Sequence, residues 1–327
     1  MKSLLSILSG IVLLMTACFA SSQTATGSMD MHWNQGAKDC KVSPQPPLEV
    51  HAYNPQTYIL RESPCATFEA PFMYLLIGST KALLIDTGDV ADSNQMPLAK
   101  TVLQLLPGDG PSKLPLLVVH THRHLDHRAG DGQFANLPNV QVVGFDIDSV
   151  RHFYNFTDWP NGLAQIDLGD RTVDALPTPG HNETEVSFYD RNTGLFFSGD
   201  FLMPGRLLID NAAADLASAK RAAAFVKDRP VTYVLGGHIE FDATGNTLPW
   251  QSQYHPNEQV LQLTKDHLLA LPAAVASFNG LYTQTGSFIM MDQIRLLIAF
   301  AIAAAIVLIA LIVALVLYLR RRKTHKP

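Results

Sequence analysis

Eight residues constrain this chain more than any others: His120-Thr121-His122-Arg123-His124-Leu125-Asp126-His127. They follow Leu116-Leu117-Val118-Val119, an apolar run that reads as a buried strand. Donor side chains packed into the loop after a strand can converge on one point. Imidazole nitrogens and carboxylate oxygens suit zinc, and iron or manganese less strongly. Burying the three imidazoles and the carboxylate of residues 122–127 without partners would be costly, and a solvated face has no use for them. The fold must therefore deliver a strand end into a metal-binding position.

The surrounding sequence supplies more strand ends. Met73–Ile77, Ala82–Asp86, Leu116–His120, Gln141–Phe145 and Val231–Leu235 read as strands. Val186–Tyr189 and Leu195–Ser198 flank Asp190-Arg191-Asn192-Thr193-Gly194, a hairpin turn in which Asp190 is expected to tolerate Asn. Pro97–Leu106, Ala212–Val226 and Pro256–Leu271 have helical spacing. Strands mixed with helices predict an α/β body. A 47% hydrophobic composition excludes a disordered or collagen-like chain.

The eight-residue segment contains the HxHxDH pattern, and here the chain resembles the metallo-β-lactamase-fold hydrolase superfamily. Leu84-Ile85-Asp86-Thr87-Gly88 matches that family's early aspartate motif, and Thr178-Pro179-Gly180-His181 its third-histidine motif. Ser198-Gly199-Asp200 matches the bridging-aspartate motif and Gly236-Gly237-His238 the last-histidine motif. Each is weak alone; in this order and spacing they reinforce one another. The resemblance implies an αββα sandwich with two metals, zinc or else iron or manganese. His122, His124 and His181 would hold one metal, and Asp126, His127 and His238 the other. Asp200 would bridge them, and Asp86 would orient a ligand from behind. His120 has no family role and reads as core or as a residue behind the ligands. Two cations sharing a water lower its pKa and give hydroxide near neutral pH, and Asp126 would also orient that nucleophile.

The same resemblance narrows the chemistry. Flavodiiron proteins carry a glutamate where His124 stands. Nucleases of the family add a nucleic-acid-binding module, whereas residues 3–319 here hold 18 basic and 29 acidic residues, a net −11. Glyoxalase II enzymes use a basic C-terminal segment, and none is evident after His238. The third subclass of β-lactamases lacks the aspartate found at Asp200. A small-molecule lactone, ester, thioester or lactam is the expected substrate. A non-catalytic metal-binding sensor or assembly protein, or a metallo-phosphodiesterase, is the alternative. Arg206 would either contact an anionic substrate or lie on the surface.

The two ends address the protein. Met1-Lys2, an apolar run to about Ala20 and small residues after it read as a secretory signal. Met15-Thr16-Ala17-Cys18 also resembles a lipoprotein processing site with Cys18 lipidated, so both readings stand. Leu296–Leu319 is uncharged and, as a helix, spans about 36 Å against a hydrocarbon core of about 30 Å. Arg320-Arg321-Arg322-Lys323 follows it, which places the C-terminus in the cytoplasm and the body on the periplasmic or extracellular side. Cys40 and Cys65 then form a disulfide or remain free thiols. The expected organisation is a signal segment (1–20), a linker (21–45), the hydrolase-like body (46–272), a stalk (273–295), a transmembrane helix (296–319) and a basic cytoplasmic tail (320–327). The expected partners are a small-molecule substrate and the lipid bilayer, not nucleic acid; oligomeric state is not legible. A reporter fused after Pro327 is expected to behave as cytoplasmic in intact cells. Cleavage of the tail by protease added outside would overturn this orientation.

Overall fold

Strands that are apolar at every position must be buried on both faces. The computed structural model describes residues 24–286 and 288–324, so the expected signal segment, Cys18 included, lies outside the described residues. One sheet runs β1 (Leu48–Asn54), β2 (Thr57–Glu62), β3 (Phe72–Ile77), β4 (Ala82–Ile85), β5 (Leu116–Val119), β6 (Val140–Val142) in that order. Its first three pairings are antiparallel, and β5 is parallel to both β4 and β6. The second sheet is built from β7 (Ala164–Asp167), β8 (Thr172–Pro177), β9 (Val186–Asp190) and β10 (Leu195–Gly199). A third, small sheet takes β11 (Arg206–Leu208), while β12 (Tyr233–Gly236) and β13 (Gln262–Leu263) complete the second in the order β13-β12-β10-β9-β8-β7.

The period-2 alternation of a strand assigns alternate residues to different layers. On β3, Phe72, Tyr74 and Leu76 face the second sheet, where Val173, Phe188 and Phe197 close the central core. Met73, Leu75 and Ile77 face outward onto α1 (Leu98–Leu105) and α2 (Asp131–Phe134). A short helix, α3 (Ile147–Tyr154), adds Val150 and Tyr154 to the central core. On the other side, Phe196 and Val234 pack under α4 (Ala212–Val226) and α5 (Lys265–Ala276). The result is the expected four-layer αββα sandwich, with one C-terminal apolar helix, α6 (Gln293–Thr324).

Three stretches differ from their sequence reading. Residues 24–45, read as a linker, pack on the body: Trp33 is 9% exposed and meets Phe72 edge-on, and Cys40 is disulfide-bonded to Cys65. The segment read as a stalk supplies β14 (Tyr282–Gln284) and β15 (Ile289–Met291), which join β11 in the small sheet, and buries Phe288, Ile289 and Met290. The helix expected from Pro256 starts only at Lys265. Asn257 has φ +57°, and Glu258 turns inward to make a bidentate pair with buried Arg61 at 2.6 Å.

The hairpin turn also needs correction. Asp190 is fully buried, not solvated: its carboxylate accepts from Arg171 Nη2 at 2.7 Å and Nε at 3.0 Å, and Arg171 reaches Gln56 O and Thr57 Oγ1 in the first sheet. Removing one partner leaves a buried charge uncompensated. Asp190→Asn is therefore expected to lose about 3 kcal/mol or more of stability. Thermal unfolding beside the parent would show it, and an unchanged midpoint would refute the assignment.

Candidate metal centre

Every expected donor lies at one rim of the sandwich, in the loops that leave β5, β8, β10 and β12. The conformation of those loops is set by two close approaches. Gly199 has φ +54°, a region that L side chains rarely adopt. A Cβ at Gly237 would lie 2.5 Å from Asp200 Oδ1 and 2.8 Å from His127 Cε1, inside the site itself.

The donors form two groups. In the first, His124 Nδ1 lies 2.9 Å from His122 Nε2 and 3.0 Å from His181 Nε2. In the second, His238 Nε2 is 3.3 Å from His127 Nε2 and 3.4 Å from Asp126 Oδ2. Asp200 stands between them. Its Oδ1 is 3.4 Å from His127 Nε2 and 3.6 Å from His238 Nε2, while its Oδ2 is 3.7 Å from His181 Nε2. The seven residues expected as metal ligands are thus brought together.

The outward ring nitrogens show how the rings are aimed. His181 Nδ1 donates to the Leu208 carbonyl at 2.9 Å, and His238 Nδ1 to the Glu69 carbonyl at 2.7 Å. His127 Nδ1 donates to Asp86 Oδ2 at 2.9 Å. These partners only accept, so Nδ1 carries a proton and the Nε2 of each ring is the atom turned inward. Asp86 also accepts from the Thr121 backbone N–H at 2.7 Å and the Thr121 hydroxyl at 2.8 Å. It therefore sits behind the donors, in a left-handed backbone conformation (φ +66°). His120 is buried behind the site as well, with Nε2 2.8 Å from Asp131 Oδ1.

The residues fit a metal. Inward-facing nitrogens at 2.9–3.0 Å cannot all satisfy one another, and buried Asp200 Oδ1 has no hydrogen-bond partner. Burial pushes the His122 pKa well down, aided by His127, which keeps the ring neutral. Burial opposes ionisation of Asp200, but His127 and His238 outweigh it and hold the carboxyl well below its ordinary range. Burial likewise opposes charge on His238, yet Asp200 and Asp126 push it up to about 10. The pocket is built to hold positive charge.

The model of the metallo-beta-lactamase superfamily matches residues 66–238, just over half of the chain. The chain belongs to this superfamily. It is 29% identical over 199 residues to the acyl-coenzyme A thioesterase MBLAC2 of Gallus gallus, covering 51% of this chain and 72% of that protein. It is 32% identical over 164 residues to the hydroxyacylglutathione hydrolase of Rhodobacter capsulatus, covering 49% of this chain and 60% of that one. Among solved structures, the metallo-beta-lactamase from Pontibacter korlensis aligns with a TM-score of 0.46 and 17% identity, over 69% of this chain and 99% of that chain. The protein is a metallo-hydrolase of the metallo-beta-lactamase superfamily.

Sequence reasoning missed the groups that aim the rings. The carbonyls of Glu69 and Leu208 carry no side-chain signal. Thr121 was visible inside the motif but had no assigned task. Arg206, weighed as an anion contact or a surface residue, is half-buried and paired with Glu240 through Nη2 at 2.8 Å and Nε at 3.1 Å. Two substitutions test the centre. Asp200→Asn is expected to bind about one metal fewer per chain by elemental mass spectrometry, because the amide cannot neutralise adjacent dications. Asp86→Asn is expected to weaken metal affinity about 10–100-fold while leaving every proposed ligand in place. Parental metal content and affinity in both would refute the arrangement.

Proposed function

We propose that the protein is a membrane-anchored hydrolase with two metal ions, zinc in the first place, that cleaves a small-molecule acyl thioester. The observation that carries the reading is the pair of convergent donor groups with Asp200 turned toward both. His122, His124 and His181 would hold one ion; Asp126, His127 and His238 the other; Asp200 would bridge. Bound there, the ions would supply an acidified water and a positive field for the developing oxyanion. The chain's own groups do the rest. Asp86, Leu208 and Glu69 keep three rings aimed. Asp126, with 22% of its side chain exposed against 11% for Asp200, is the more accessible of the two carboxylates. It would orient the attacking water and accept its proton. The water oxygen bonds to the acyl carbon, the C–S bond breaks, and the proton ends on the departing thiolate.

Thioesters are preferred over lactones, esters and lactams because the curated relatives are named as an acyl-CoA thioesterase and a hydroxyacylglutathione hydrolase. Anchoring is supported by α6, whose span from Gln293 to Arg321 contains an 18-residue window of mean hydropathy 3.3, none of it buried. The disulfide Cys40–Cys65 supports an oxidising compartment for the body, with the basic tail cytoplasmic and residues 1–20 as the export signal.

Purified full-length protein is expected to hydrolyse thioesters faster than a chromogenic lactam or lactone. Chelation should abolish that activity and zinc restore it. A lactam or lactone turned over faster than every thioester would overturn the substrate class, and activity indifferent to chelation would overturn the metal chemistry.

A further inference from the structure

The metal centre and the membrane helix are joined by very little chain. The carbonyl that aims His181 belongs to Leu208 on β11, and Leu208 is paired in parallel register with Met291 on β15. The neighbouring ladder bonds are made: Ile289 N donates to Gly205 O at 3.0 Å and Ile209 N to Met291 O at 2.8 Å. Helix α6 starts at Gln293, two residues after Met291. No slack lies between, because Asp292 N donates to Leu281 O at 3.1 Å and the Asp292 carboxylate accepts from Arg295 N at 2.9 Å. Strand spacing, the extended reach of two residues and the helical rise together place His181 within about 22 Å of Leu296, where the apolar run begins. That is comparable to an extended long acyl chain.

The rim of the site is dressed for lipid. Leu125, between His124 and Asp126, is 59% exposed, and so is Trp250. Trp250 lies edge-on to Phe68, whose neighbour Glu69 holds His238. Leu281, whose carbonyl accepts from Asp292 N just before α6, and Tyr282, the first residue of β14, are also exposed. Tryptophan and tyrosine favour the headgroup depth of a bilayer. The cations at the rim are already engaged: Arg206 by Glu240, Arg123 by Glu183, and Arg128 over the Phe145 ring at 3.8 Å with its Nε on Arg123 O. With the net −11 of residues 3–319, such a rim does not attract a polyanionic soluble carrier.

We infer that the substrate is a membrane-borne long-chain acyl thioester, attacked while its acyl chain stays in the leaflet that the body faces. This rests on the thioesterase reading above and adds where the substrate resides. The reaction is the same hydrolysis: the acid formed keeps its chain in the bilayer, and the thiol leaves with the proton.

The test uses the full chain reconstituted in phosphatidylcholine vesicles and two thioesters of N-acetylcysteamine, one hexadecanoyl and one acetyl. Hexadecanoyl thioester in the same vesicles as the protein is expected to turn over at least about tenfold faster than in separate vesicles, because a shared surface raises effective concentration. A variant with a flexible Gly/Ser spacer inserted between Asp292 and Gln293 keeps the anchor but releases the body from it. It is expected to lose most of the same-vesicle advantage and to hydrolyse the acetyl thioester like the parent. Acetyl hydrolysis with no same-vesicle advantage, or with an advantage that survives the spacer, would overturn this inference alone. Hydrolysis of neither thioester would overturn the thioesterase reading with it.

Discussion

The site depends on one carboxylate that touches no substrate. Asp86 leaves β4 in a left-handed conformation and accepts three hydrogen bonds: two from Thr121 and one from His127. Those contacts turn the loop after β5 back across the end of β4. They fix the sharp bend on which His122, His124, Asp126 and His127 are carried. Each bond ends on a charged acceptor in a buried setting, where such bonds are stronger than their neutral counterparts. Without them the loop would hold its four donors toward a common point less firmly. Gly237 and Gly199 serve the same end from the opposite sheet by leaving room where a side chain would intrude.

What the sequence could reveal followed from where the information is stored. The donors are side chains in short motifs that end buried strands, so their types and order exposed both the fold and the cluster. The strands themselves were legible because runs such as Phe72–Ile77 are apolar on both faces. Partners that lie far off in the chain, or that are backbone atoms, left no trace: the carbonyls of Leu208 and Glu69, and the Arg171 that neutralises Asp190 from 19 residues away. Burial carried by a few residues in a polar or short segment was equally hidden. Trp33 anchors an arm whose composition is that of a linker, and Phe288, Ile289 and Met290 turn an apparent stalk into part of a layer. The start of α5 was misplaced because Glu258 answers to Arg61, on a strand near the other end of the chain.

The sandwich is tied at both ends by different means. At the end away from the donors, Arg171 and Asp190 lie in the second sheet, and Arg171 bonds to Gln56, Thr57 and Ile77 of the first. Along one flank the Cys40–Cys65 disulfide fastens the N-terminal arm to the loop that contains Phe68 and Glu69. That loop supports His238, so the covalent tie and the donor geometry share one piece of backbone.

The remaining end is closed by the donors themselves. His122, His124, Asp126 and His127 are carried by the loop that leaves a strand of the first sheet, whereas His181, Asp200 and His238 are carried by loops that leave strands of the second. Any ion seated among them is a rivet through both halves of the sandwich. Its affinity is then drawn partly from the free energy of folding, and the native state gains about 4 kcal/mol when free metal exceeds its dissociation constant a thousandfold. A chain left without metal would forgo that increment of stability along with the chemistry.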